Sequence, residues 1–345
     1  MIEFPMSARA ITGHASRRTS QWTPLLVLVA AAYAGLLVWA LNRPVPPDFP
    51  VYWRGANNFF SGQAPMYGDA SGATWPMTYR YPPFFLFLIR PFSFIPMELG
   101  AKIFALLEWA AVGAASWLAV RTWDLRFTTW TTVATLVLLG PHLLWSLKSG
   151  NVQGLLVAAS LMALLWAEKR PAWAGALIAL AIAIKMWPAV LLPRFLQRER
   201  RRALWCTLAF SIPLWLMPAL FFGVSGYGSL LGQWYTQEST AGVAGREVWY
   251  PSLSLRGVLF RYVTNDAKPV VSGEQYPVIQ FADLPVPAVA GMWIAISAAV
   301  YGWTMWRAYR EGARNAPVWD AATLVLFSIL QPFSNKASLI AIWPA

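Results

Sequence analysis

Apolar residues in this chain fall in long, nearly uninterrupted runs rather than at the spacing of a helix with one wet face, and several runs are long enough to cross a bilayer. The first extends from about Pro24 to Leu41 and ends in Trp39-Ala-Leu-Asn42. Others run from about Leu99 to Val120, Phe127 to Leu147, Val152 to Ala167, Ala172 to Ile184, Ala189 to Phe195, Ala203 to Phe222, Val286 to Trp306 and Val318 to Pro332, with an apolar tail through Trp343. At about 20 residues per span, 345 residues allow on the order of 8 to 12 crossings. The pattern predicts one all-α polytopic membrane domain over residues 1–345, with about nine or more transmembrane helices.

Composition agrees. Hydrophobic residues make up 57% of the chain and charged residues 12%, about half the share of a soluble domain. The 21 Trp supply amphipathic rings for both bilayer interfaces. A net charge of +12 is assigned to cytoplasmic loops and anionic headgroups rather than to nucleic acid, and the lipid bilayer is the first partner. Cys206 is the only cysteine, and His14 and His142 lie far apart, so neither a disulfide nor a Cys- or His-based metal site is expected.

The basic clusters set the topology. Arg121 and Arg126, then Lys169 and Arg170, then Arg194, Arg198, Arg200, Arg201 and Arg202, then Arg307, Arg310 and Arg314 all belong inside, so an even number of crossings separates each pair of clusters. The polar residues 1–22 belong inside too, and the first run is a retained helix, since a signal peptide has a shorter core. Parity then excludes Tyr81 to Pro96 as a full crossing. That segment is broken by Pro91 and charged at Arg90, and it is read as a helix lying along or dipping into the outer leaflet. Pro171 to Phe195 must enter and return, turning near Lys185-Met-Trp-Pro188, as two short limbs. Two long extracytoplasmic segments result, residues 43–98 and 223–285, rich in Pro, Gly, Tyr and Trp and expected to fold as caps containing membrane-parallel helices.

Asp48 follows the first span in Pro44-Val-Pro-Pro-Asp-Phe-Pro-Val-Tyr-Trp53. Spacing alone leaves two readings for it: a loop carboxylate or helix N-cap, or a base whose pKa is raised beside a low-dielectric wall. Glu98 and Lys102 have helical pair spacing and are expected to form an ion pair. Asp69, Glu238, Glu247, Asp266, Glu274 and Asp283 read as solvated loop carboxylates, with no metal signature among them. Trp53, Trp75, Trp234, Tyr235, Trp249 and Tyr250 read first as belt or loop-core aromatics and second as stacking surfaces for sugars or isoprenoid.

The runs Asp48-Phe-Pro-Val-Tyr52, Gly62-Gln-Ala-Pro-Met-Tyr67, Tyr79-Arg-Tyr-Pro-Pro83 and Pro91 to Pro96 resemble the first outer loop of membrane glycosyltransferases of the GT-C fold, and most of all glycosyltransferase family 87. Gly150-Asn-Val-Gln-Gly154, Gly175 through Pro188 and Ser254-Leu-Arg-Gly257 extend the resemblance over most of the chain. It implies an inverting transfer of mannose or another hexose from a polyprenyl-phosphate donor to a lipid-linked or cell-envelope glycan acceptor on the extracytoplasmic side of the cell (inner) membrane. It gives Asp48 the role of catalytic base. By the same resemblance Lys185, Arg256, Lys336 and Arg80 hold the donor phosphate, and Tyr52, Tyr81, Asn151, Gln153 and Asn335 bind substrate. No cofactor is implied; a divalent cation is compatible but not indicated.

Two departures bear on the donor. The order is Gly150-Asn-Val-Gln where the family has Gly-Gln-x-Asn, and Asn335-Lys336 stand where the family has histidines. A lysine neutralises phosphate as a point charge, with different geometry. The chain stops at Ala345 inside an apolar stretch, short of the family's usual length, which leaves final helices absent or dispensable. The rival readings are a transporter or flippase for a lipid-linked substrate, whose membrane charges would line a path, and a non-catalytic family member.

Overall fold

The computed structural model describes residues 15–68, 79–123, 140–238, 253–264 and 280–330. These residues are helical or lie in the connections between helices. The helices are α1 (Ala15–Leu41), α2 (Phe49–Phe60), α3 (Pro83–Ile89), α4 (Met97–Thr122), α5 (residues 140–149), α6 (Gln153–Trp166), α7 (Pro171–Ile184), α8 (Arg201–Glu238), α9 (Leu255–Val263), α10 (Val286–Glu311) and α11 (Ala316–Leu330).

Three of them, α4, α8 and α10, are long and apolar enough to cross a membrane. The 26 residues of α4 and of α10 span about 39 Å at about 1.5 Å per residue, more than the hydrocarbon core. Their outer faces carry large apolar side chains that only lipid would cover, among them Leu220 at 86% exposure. The chain is a membrane protein. α6, α7 and α11 are apolar but have 14, 14 and 15 residues, and α1 has a shorter apolar stretch over Val27–Leu41.

The core is built where small residues let helices approach. On α7, Gly175 lies so close to α8 that a Cβ there would stand 2.5 Å from the Cys206 Cβ and 2.6 Å from the Thr207 backbone nitrogen. Ala179 and Ala183 continue that face and are fully buried. α4, α5, α6 and α11 add Val112, Leu143, Leu161 and Leu324 to the same core. A second, aromatic cluster forms around α2 and α3: Phe49 and Phe104 pack tilted, Tyr52 and Phe85 edge to face, and Tyr79 stacks on Phe85.

Several expectations change at this level. Residues 223–238, the start of the second outer segment, are helical: Gly223, at φ 68° and ψ 166°, is a non-helical break inside α8 that separates them from the preceding residues, and glycine takes that conformation at little cost. The return limb after Lys185 is not an α-helix: Trp187–Leu196 is a 3₁₀ stretch with Pro193 inside it, and Pro removes the donor an α-helix needs. α3 has 7 residues and breaks into a 3₁₀ turn at Arg90–Phe94, consistent with a segment that does not cross. Two members of the basic cluster assigned to the cytoplasmic surface are buried. Arg194 and Arg200, at 1% and 5% exposure, both bind Asp320 on α11, and Arg200 also reaches Glu168. Burial of paired charge won over solvation there because one carboxylate serves both guanidinium groups. Glu98 and Lys102 are both exposed at the rim of one cavity, and neither forms an ion pair among the described residues. Glu238 is not a free loop carboxylate; it pairs with Arg80 at 3.0 Å.

Candidate active site

Three prolines, Pro44, Pro46 and Pro47, stiffen the strap between α1 and α2. Pro46 packs onto Gly150, where φ is 68° and a Cβ would lie 2.5 Å from the Pro46 ring. The next residue but one is Asp48, whose backbone N–H donates to the Ser149 carbonyl at 2.9 Å. The strap is thereby fastened to the turn between α5 and α6.

Asp48 occupies the N-cap position of α2, but its side chain caps nothing. Its Oδ2 instead accepts a hydrogen bond from the Asn151 side-chain amide at 2.7 Å, across 103 residues of sequence. Asn151 is itself held, because its Oδ1 accepts the Gln153 backbone N–H at 3.0 Å at the start of α6. Burial raises the Asp48 carboxyl above its ordinary value of 3.8, while the Asn151 amide and the Lys185 ammonium pull it back down. Lys185 ends α7 in extended backbone, the point where the chain turns, and its ammonium lies 5.7 Å from the centre of the Tyr81 ring. Burial lowers its pKa, and the charges of Asp48 and Glu238 raise it. A carboxylate of raised basicity and an ammonium thus share one electrostatic neighbourhood.

The Tyr79–Tyr81 segment closes over this pair. Arg80 pairs with Glu238 through two hydrogen bonds of 3.0 and 3.3 Å, Trp234 donates to the Arg80 carbonyl at 3.3 Å, and Gln237 donates to the Tyr79 carbonyl at 2.8 Å. The first outer segment and the far end of α8 are therefore in direct contact. The Tyr52 and Tyr81 hydroxyls meet at 2.9 Å. Tyr52 and Gln153 are each 1% exposed and stand behind the surface, whereas Asn151, Tyr81, Arg80 and Lys185 reach it in part.

Arg256 belongs to α9. It is buried on α9, its guanidinium 4.5 Å from the Phe260 ring centre, in a small cluster with Val289 of α10. Asn335 and Lys336 lie outside the described residues. Among the described residues, no three of His, Cys, Asp and Glu gather as metal ligands.

One residue beneath the site carried no functional role in the sequence reading. Glu108 of α4 is fully buried, takes a hydrogen bond from Ser146, and receives the Gly154 backbone N–H. A Cβ on Gly154 would overlap its side chain, with 2.7 Å to Cγ. Glu108 thus braces both ends of the turn that presents Asn151. Its position inside a membrane span was the available signal, since an acid there is costly unless it has a task.

The fold and site define an all-helical membrane protein with a basic carboxylate and a cation gathered at the end of its first helix. The chain belongs to glycosyltransferase family 87, whose profile matches residues 79–273. It is also 26% identical over 200 residues to the polyprenol-phosphate-mannose-dependent alpha-(1-2)-phosphatidylinositol pentamannoside mannosyltransferase of Mycobacterium tuberculosis (strain CDC 1551 / Oshkosh), a match covering 54% of this chain and 44% of that protein. The chain thus spans less than half the length of that relative. No solved structure matches it. The family match begins at Tyr79 and does not include Asp48.

Proposed function

We propose that the protein is an inverting membrane glycosyltransferase that moves a hexose, mannose by the relative's name, from a polyprenyl-phosphate donor to a lipid-linked or cell-envelope glycan. The observation that carries this reading is the side chain of Asp48, turned away from its own helix and held by Asn151 within the field of Lys185. A cap would bond the α2 backbone; a base needs a fixed direction and a raised affinity for a proton.

In the reaction, the Asp48 carboxylate takes the proton of the acceptor hydroxyl as that oxygen bonds to C1 of the sugar. The C1–O bond to phosphate breaks, and the polyprenyl phosphate leaves with the electron pair. Lys185 and Arg80 offer positive charge where the leaving group develops its own negative charge. Arg256 and Lys336 remain proposed donor contacts, Arg256 requiring the donor to extend toward α9. Tyr81 and Asn151 border the acceptor, with Tyr52 and Gln153 as the wall behind them. Contact between Arg80 and Glu238 supports placing both long outer segments on one side of the membrane, opposite Arg198, Arg201 and Arg202. That side is the extracytoplasmic face of the cell membrane.

The test is transfer by the purified full chain in detergent, supplied with polyprenyl-phosphate [¹⁴C]mannose and a glycolipid extract. Label appearing in glycolipid supports the proposal. Binding of the donor with no transfer to any acceptor fraction would move the reading to a transporter or a non-catalytic member.

A further inference from the structure

A cavity of about 260 Å³ opens beside the proline strap, on residues that sugar transfer does not use. Its charged rim is Arg43 after α1, Lys102 and Glu98 on α4, and Lys148 on α5. Three cations thus face one carboxylate. All four side chains are exposed, and none of them is ion-paired among the described residues. Arg43 and Lys148 lie over indoles instead, 4.7 Å from the Trp39 ring centre and 5.0 Å from that of Trp145.

The floor is apolar, with Ala101, Ala105 and Leu147. The helix faces leading to it are apolar and uncovered as well: Val38 is 60% exposed, Leu99 47% and Leu106 44%. A small soluble anion would gain nothing from those faces, whereas a molecule with a negative head and acyl chains matches both parts. Cationic side chains at a membrane surface attract anionic headgroups, and aromatic rings hold that level of the bilayer.

We infer that the Arg43–Lys102–Lys148 cavity binds the phosphate of an anionic membrane phospholipid, whose acyl chains lie along the exposed faces of α1 and α4. The strap residue Pro47 borders this cavity and precedes Asp48, so the bound headgroup sits next to the strap that carries the carboxylate. The inference stands whether or not the chain transfers sugar.

Native mass spectrometry of the full chain in neutral detergent, titrated with phosphatidylglycerol or phosphatidylcholine, tests it. The wild type is expected to retain phosphatidylglycerol preferentially, and Arg43→Gln/Lys102→Gln/Lys148→Gln to weaken that binding on the order of 10- to 100-fold. The control Arg198→Gln/Arg201→Gln/Arg202→Gln, on another exposed basic surface, should leave it unchanged. If the triple pocket variant does not fold, the single exposed change Lys148→Glu serves in its place and must also weaken binding. Equal retention of phosphatidylcholine, equal loss in the control, or no loss in the pocket variants overturns the inference. Displacement of the lipid by inorganic phosphate at comparable concentration would assign the cavity to a free anion and overturn the lipid assignment.

Discussion

Asp320 is the member of the buried ion cluster whose loss should be felt most. Its Oδ1 lies 2.7 Å from the Arg194 Nη2 and 2.8 Å from the Arg200 Nη1, which is also 2.9 Å from Oδ2. Asp320→Ala leaves two buried guanidinium groups without that partner, and removal of one member of a buried pair costs about 3–5 kcal/mol. Arg200 keeps Glu168, which is 44% exposed and offsets little of that cost. Among the described residues, Arg194 keeps a 3.5 Å contact to the Ala316 carbonyl. The prediction is therefore a loss near the middle of that range, read as a large fall in thermal unfolding temperature in detergent. Replacing the whole cluster, Arg194→Met/Arg200→Met/Asp320→Leu, should return most of the stability, because apolar residues of similar volume fill such a site without the desolvation cost. The sum of effects would then be strongly non-additive, as for groups that share one network. An Asp320→Ala protein that melts within about 1 °C of wild type would refute the burial argument. So would a triple variant less stable than the single one.

Three other outcomes follow from the site. Activity needs the Asp48 carboxylate, so it should fall as pH drops through the raised pKa, at a higher pH than for an exposed Asp. Asn151→Ala removes a group that favours the charged form and should move this acid limb further up, measured as a pH–rate profile. Gly154→Ala forces a methyl into the Glu108 side chain and should cost about 1–3 kcal/mol by overpacking, seen as lowered melting temperature and yield, while Gly35→Ala, where a Cβ meets nothing within 4 Å, should not. Glu238→Gln weakens a half-exposed pair and should cost less than about 1 kcal/mol globally, yet speed hydrogen exchange at Tyr79–Tyr81.

The long apolar helices were legible because hydrophobic length is a local property. Pro24–Leu41, Leu99–Val120 and Val286–Trp306 fall within described helices, and Val152–Ala167 overruns α6 by one residue at each end. The passage from Gly223 to Glu238 was legible only as part of a folded cap, because its contacts, Trp234 with the Arg80 carbonyl and Gln237 with the Tyr79 carbonyl, join residues more than 150 apart. Asp48 and Asn151 were both picked from motifs, but their bond joins residues 48 and 151, and no local pattern encodes it. The burial of Arg194 and Arg200 was hidden for the same reason, since charge counting sees the cluster and not Asp320, more than a hundred residues away. Glu108 could be suspected from an acid lying inside an apolar span, but its partners Ser146 and Gly154 could not.

The most direct test of the account is the transfer rate of Asp48→Asn at saturating acceptor. Asn keeps the size of Asp and its ability to hydrogen-bond, but cannot take a proton, and removal of a general base costs on the order of 100- to 10,000-fold. The account predicts a loss in that range, with wild-type melting temperature and intact donor binding. A variant that transfers sugar at close to the wild-type rate would contradict it, because Asn and Asp serve alike only as caps.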